Sequence, residues 1–134
     1  MERTDTPTLR ILLVDDSPTF LAAAVHALAA DQRIEIVGKA LSGHEGLELV
    51  AAVQPDLVLM DVAMPGMNGL EATRLIKAQP NAPCVIVLTS HDIPPYRAAA
   101  KAAGADNFIS KADFGAQLLP LLDVVLTDRS AALS

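Results

Sequence analysis

Five side chains with chemical potential sit at the ends of short apolar runs. Asp15 and Asp16 follow ILLV, Asp61 follows DLVLM, Thr89 closes CVIVLT and Lys111 closes NFISK. Two carboxylates ~4 Å apart at an effective dielectric of ~20 repel by about 4 kcal/mol, so three in one pocket require either protonation or a cation. The ligands on offer are all oxygens, with no cysteine or histidine at the run ends. That set favours a hard ion, Mg²⁺ or Mn²⁺ in its place; Mg²⁺ typically takes one or two carboxylates, some waters and a phosphate oxygen. Three aspartates, one lysine and one divalent ion are together neutral. Such a pocket could receive a phosphoryl group without severe repulsion, and a carboxylate can itself be the covalent nucleophile.

Taken singly, each residue has an ordinary explanation: an aspartate after a strand forms turns or caps helices, a threonine caps, a lysine is solvated. Only a fold that gathers the strand ends gives them joint meaning. The runs LRILLV (9–14), IEIVGK (34–39), DLVLM (56–60), CVIVLT (84–89) and NFISK (107–111) have strand length. Between them lie helix-length stretches with apolar residues at three- and four-residue spacing. Four of the five runs are almost continuously apolar, as in parallel strands covered on both faces. Ser42 followed by Glu45, and Asn68 followed by Glu71, have capping-box spacing. Pro94 and Pro95 suit the opening of a fourth helix over 96–103, which stops at Gly104. The last helix is placed within 115–126 and contains Pro120, tolerated in a first turn but costing ~3 kcal/mol deeper inside.

Five strand–helix pairs predict an α/β fold, a flavodoxin-like doubly wound (βα)5 with a five-stranded parallel sheet in the order 2-1-3-4-5. Ligands of such sheets bind outside the carboxyl ends of the strands, where the order reverses. Strands 1 and 3 flank that point, and strand 2, ending in Lys39 and Ala40, is an edge that brings no reactive group.

The chain of 134 residues is sized for one domain. It is 51% hydrophobic and 19% charged, with a mean hydropathy of +0.36, values that suit a large core. One folded domain over 9–127 is expected between a flexible lead, 1–8, and a flexible tail, 128–134. Ten basic against sixteen acidic residues give a net charge of −6 with no basic cluster, which argues against direct nucleic-acid binding. Cys84 is the single cysteine, so no intrachain disulfide can form. MERTDTPT lacks the apolar core of a signal peptide, and no run approaches the ~20 residues that span a bilayer. A soluble, cytoplasmic protein without membrane contact is expected.

ILLVDDSP, LMDVAMPGMNGLEA (59–72), VIVLTS (85–90) and GADNFISKAD (104–113) together resemble the receiver domain of two-component response regulators. The resemblance spans about 9–126. It implies that Asp61 is the phosphoacceptor, taking a phosphoryl group from a phosphohistidine on a sensor histidine kinase or phosphotransfer protein. It implies Mg²⁺ held by Asp16, Asp61 and the backbone carbonyl of Ala63, with Asp15 acting through a bound water. Lys111 and Thr89 would contact phosphoryl oxygens. Thr89 and Phe108 would be the switch that alters the helix 4, strand 5 and helix 5 surface for a downstream effector or a homodimer. In Met64-Pro65-Gly66 proline restricts φ and glycine frees it, which suits a sharp turn after the acceptor, and Gly69 would keep the next helix close.

The chain departs from many receivers in having Ala112, not proline, after Lys111. A trans bond and a differently shaped loop are expected there. That stretch is most similar to receivers of helix-turn-helix transcription regulators, so a receiver forming the N-terminal part of a longer DNA-binding regulator stands beside a receiver acting alone. Ala63 and His91, two residues after Asp61 and Thr89, occupy positions that tune the phosphoryl lifetime in receivers. The spacing predicts that His91 borders the pocket. His26 and His44 are read as surface or packing residues and Cys84 as a small core residue. A haloacid-dehalogenase-type phosphatase needs a second acid where Ala63 stands, and a flavodoxin needs a phosphate loop that DDSPTF lacks. No enzymatic activity is expected beyond phosphoryl transfer onto Asp61 and its slow self-dephosphorylation.

Overall fold

A computed structural model of the chain describes residues 8–64, 66–90 and 93–133, with side chains at all of these except 126 and 128–133. His91, Pro65 and residues 1–7 of the expected lead lie outside the described residues. The apolar runs become β1 (Leu9–Val14), β2 (Ile34–Ala40), β3 (Leu57–Asp61), β4 (Cys84–Thr89) and β5 (Asn107–Ser110). All pair in parallel, in the order β2-β1-β3-β4-β5.

The boundaries differ from the sequence pattern by one residue at three strands. β3 begins at Leu57 because Asp56 is used as a clasp. Its carboxylate accepts the Arg10 N–H at 2.9 Å, its own N–H bonds the Arg10 carbonyl, and its carbonyl accepts from Cys84. One acid thereby ties the starts of β1, β3 and β4 together.

Alternation along the strands divides the interior in two. Ile11, Leu13, Leu57, Leu59, Ile86 and Leu88 pack with Leu21, Ala24 and Leu28 of α1 (Pro18–Ala29) and with Phe114, Leu118 and Leu122 of α5 (Phe114–Leu133). Leu12, Val14, Val58, Met60, Val85 and Val87 pack with residues of α2 (Gly43–Val53), α3 (Gly69–Lys77) and α4 (Pro94–Ala102). A central strand buried on both faces needs an apolar residue at every position, which is why these runs show no polar alternation. Each fully buried Leu or Ile contributes about 1.5–3 kcal/mol over an exposed one.

The helix starts follow local signals. Ser17 Oγ accepts from the Phe20 N–H at 3.2 Å, Ser42 Oγ from Glu45 at 3.1 Å and Asn68 Oδ1 from Glu71 at 2.9 Å. Glu45 returns its bond to the N–H of Leu41 rather than to that of Ser42. α4 stops before Gly104, which takes φ +96. No cis peptide occurs among the described residues, and Lys111–Asp113 form a single 3-10 turn in which Ser110 Oγ accepts the Ala112 N–H.

α5 corrects the expected last helix at both ends, beginning at Phe114 and continuing to Leu133 past position 126. Nothing after Pro120 breaks it: VVLTDRSAAL contains neither glycine nor proline. Pro120 is the seventh residue of the helix, beyond the first turn. The bond it cannot donate belongs to the Ala116 carbonyl, and both residues are exposed, so water can serve that carbonyl. No helix among the described residues is long and apolar enough to cross a membrane.

Candidate functional site

The register of the sheet assembles the site. Val14 pairs with Met60, Asp61 with Leu88, and Thr89 with Ser110, so the carboxyl ends of β1, β3, β4 and β5 finish close to one level. Asp15 and Asp61 continue the parity of Leu13 and Leu59, the face covered by α1 and α5. Thr89 continues that of Val85 and Val87, on the face toward α4. The site is thus built from both sides of the sheet edge.

Asp15, Asp16 and Asp61 each present a carboxylate oxygen, all within 4.8 Å of one another. Asp15 and Asp61 are 1% and 3% exposed, whereas Asp16 is exposed. Lys111 supplies the resident positive charge, its Nζ lying 2.6 Å from Asp15 Oδ2 and 3.2 Å from Asp61 Oδ1. Asp15 also shapes the turn into α1, since its Oδ1 accepts the Ser17 N–H at 2.8 Å. The turn-forming and charge-bearing readings of that residue are both true, one for each oxygen. Oδ2 is buried and is paired with the Lys111 ammonium.

The electrostatics follow from this crowding. Burial, then the charge of Asp15, pushes the Asp61 carboxyl up to about 6, with Lys111 opposing the rise. For Lys111, burial works against the charge, but the bond to Asp15 and the field of Asp61 outweigh it and hold its pKa above the ordinary lysine value. Even with Lys111 in place the pocket carries excess negative charge. An all-oxygen donor set of three carboxylates within 4.8 Å of one another fits a hard divalent cation.

The β3–α3 loop is held against the site by contacts only glycine allows. The Gly69 N–H bonds the Val62 carbonyl at 2.9 Å, and a Cβ at Gly69 would overlap the carbonyl of Asp61. Gly66 takes φ +75, the left-handed conformation glycine adopts without strain. Ala63 is exposed and Met64 is buried in the core cluster with Met60 and Val62.

Thr89 is 2% exposed. Phe108 is half-buried against the α2–α4 side of the core, with the Arg97 guanidinium 4.7 Å from its ring centre. His26 and His44 are exposed, as expected of surface residues. Cys84 is half-buried at the margin of the core, and burial, then the nearby charge of Asp106, pushes its thiol up to about 12.

Two neighbours of the site escape sequence reasoning. Phe20 places its ring 4.4 Å from Lys111 Nζ, and Arg97 covers Phe108. Phe20 lies in a helix and reads as an ordinary core residue; its position five residues after Asp15, in the first turn after the paired aspartates, was the one available signal.

The sequence matches the response regulator receiver domain family over residues 11–123. A protein-glutamate methylesterase/protein-glutamine glutaminase of Myxococcus xanthus is 44% identical over 96 residues, 70% of this chain and 27% of that protein. Response regulator GacA of Pseudomonas aeruginosa is 38% identical over 104 residues, 77% of this chain and 48% of that protein. The signal receiver domain of the putative response regulator NarL from Mycobacterium tuberculosis superimposes with a TM-score of 0.84 at 28% identity, covering 90% of this chain and 98% of that one. The chain therefore spans about a quarter to a half of these two curated relatives but nearly the whole of that receiver structure.

Proposed function

The chain belongs to the response regulator receiver domain family of two-component signalling, and from that premise we propose that Asp61 is its phosphoacceptor and that phosphorylation switches a protein-binding surface. One observation carries the reading: three carboxylates within 4.8 Å at the switch point of the sheet, with Lys111 bridging Asp15 and Asp61. A partner histidine kinase or phosphotransfer protein donates the group. An Asp61 oxygen attacks the phosphorus of the phosphohistidine; the new O–P bond forms as the P–N bond breaks, and the imidazole keeps the electron pair and takes up a proton. With its carboxyl at about 6, Asp61 is ionised at neutral pH, and its burial limits the water it must shed.

Asp16, Asp61 and the Ala63 carbonyl would hold Mg²⁺, with Asp15 acting through a water. When bound, the ion neutralises the carboxylates and the incoming phosphoryl oxygens. Lys111, already 3.2 Å from the acceptor, donates to a phosphoryl oxygen on it. The Thr89 hydroxyl turns to another such oxygen, and Phe108 follows into the space Thr89 leaves, altering the α4–β5–α5 surface for a downstream effector or a second copy. Ala63 and His91 set how readily water reaches the acyl phosphate; an unchanged dephosphorylation rate in His91→Ala would remove His91 from that role. Turnover is confined to Asp61 itself, in the cytoplasm, without nucleic-acid or membrane contact by this chain. The greater length of the matched relatives favours a second reading, in which the same chemistry serves as the N-terminal receiver of a longer regulator.

The test is incubation with acetyl phosphate and Mg²⁺, read by intact mass. One phosphoryl adduct is expected, dependent on Mg²⁺ and absent from Asp61→Asn; an adduct that persists in the variant refutes the assignment.

A further inference from the structure

Lys111 Nζ touches two kinds of partner. Two are the carboxylates of Asp15 and Asp61, and the third is the face of the Phe20 ring, 4.4 Å from the nitrogen. The carboxylates are the groups whose charge must change if the site binds a cation and accepts a phosphoryl group. The ring keeps its attraction for an ammonium whatever the carboxylates carry, because that attraction comes from its fixed quadrupole. It also adds no negative charge to a pocket that already has too much.

The ring is itself anchored to the site. The Phe20 N–H donates to Ser17 Oγ at 3.2 Å, and the Ser17 N–H donates to Asp15 Oδ1 at 2.8 Å, so two hydrogen bonds link the ring's backbone to the carboxylate that pairs with Lys111. The ring also meets Phe114 edge to face, with centres 5.2 Å apart at 68°. Phe114 is buried and opens α5 directly after the 3-10 turn Lys111–Asp113. Phe20 therefore contacts both Lys111 and the residue three positions later.

We propose that Phe20 is a positioning residue for phosphoryl transfer, its ring face holding the Lys111 ammonium in the pocket independently of the charge on Asp15 and Asp61. The proposal rests on Asp61 being the phosphoacceptor. Its energetic effect comes through preorganisation: an ammonium that stays in place when the carboxylates are neutralised is ready for the phosphoryl oxygens.

The experiment pairs a spectroscopic arm with a kinetic one on the whole chain. In the wild type the Lys111 ε-methylene protons should show an upfield ring-current shift, lost in Phe20→Leu and kept in Phe20→Tyr. Phe20→Leu, which retains apolar bulk, should form the acetyl phosphate adduct about 5–30-fold more slowly, and Phe20→Tyr should restore the rate. Lys111 ε-protons at ordinary shifts in the wild type overturn the contact without reference to any variant. A Phe20→Leu protein that loses the shift yet is labelled at the wild-type rate, or a Phe20→Tyr protein as slow as Phe20→Leu, overturns the positioning role. A wild type that forms no adduct on Asp61 overturns the phosphoacceptor reading, and the positioning role with it, while the ring-current arm still decides the contact.

Discussion

Without divalent cations, Asp61→Asn should make the fold more stable at neutral pH, the opposite of what loss of a buried side chain usually does. Burial and the charge of Asp15 raise the Asp61 carboxyl from an ordinary 3.8 to about 6. At about 1.36 kcal/mol per pH unit, ionised Asp61 costs the native state about 3 kcal/mol. The side chain is 5% exposed, so solvent screens little of this. The sign follows from proton binding: between about pH 4 and 6 native Asp61 retains a proton that the unfolded chain has released, so this group lowers stability as pH rises through that window. The cost is complete above about pH 6 and falls below about 1 kcal/mol near pH 4. Asparagine keeps the shape without the charge. Urea denaturation with a chelator should therefore show Asp61→Asn about 3 kcal/mol more stable than the wild type at about pH 7.5, and nearly equal to it at about pH 4. Saturating Mg²⁺ should close the gap, since a ligand at 100 times its Kd stabilises the form that binds it by about 2.7 kcal/mol. A variant no more stable than the wild type at neutral pH, or an equal gain at both pH values, refutes the electrostatic account.

Three other changes probe different parts of the structure. Gly69→Ala should destabilise the fold by roughly 3–5 kcal/mol and slow labelling of Asp61, because the new Cβ displaces the Asp61 carbonyl; a near-wild-type urea midpoint refutes this. Cys84, with its thiol pushed up to about 12, should react with a disulfide reagent near pH 8 about a thousandfold more slowly in the native protein than in urea, and equal rates would show the thiol to be accessible and ordinary. Ser42→Ala should cost about 1 kcal/mol through loss of the α2 cap, measured by thermal unfolding, with no change in Asp61 labelling.

Much of the site was legible in one dimension because parallel sheets place their strand ends together. Asp15, Asp61, Thr89 and Lys111 each follow an apolar run, and once those runs are strands in the order 2-1-3-4-5, convergence is a matter of topology. The helix starts at Ser42 and Asn68 were legible for a different reason: a cap bonds an N–H only three residues away, so its signal is local. The end of α5 was not legible, because 127–133 is polar without containing a helix breaker, and polarity alone does not stop a helix.

Other features depend on atoms distant in sequence. Asp56 reads as an ordinary strand start, yet it clasps Arg10, 46 positions away. Phe20 reads as core, yet its ring meets Lys111 and Phe114 only after α1 and the start of α5 are laid on the same face of the sheet. Residue types and spacing by themselves determined which elements form, their order and which end of the sheet carries the charges, since periodicity, capping and crossover handedness act over short stretches of chain. Only the tertiary structure decided how those charges are shared: Lys111 between Asp15 and Asp61, Asp61 raised to about 6 and Asp16 left in water. Burial and Coulomb energy depend on distance through space, and those distances do not exist until the sheet is assembled.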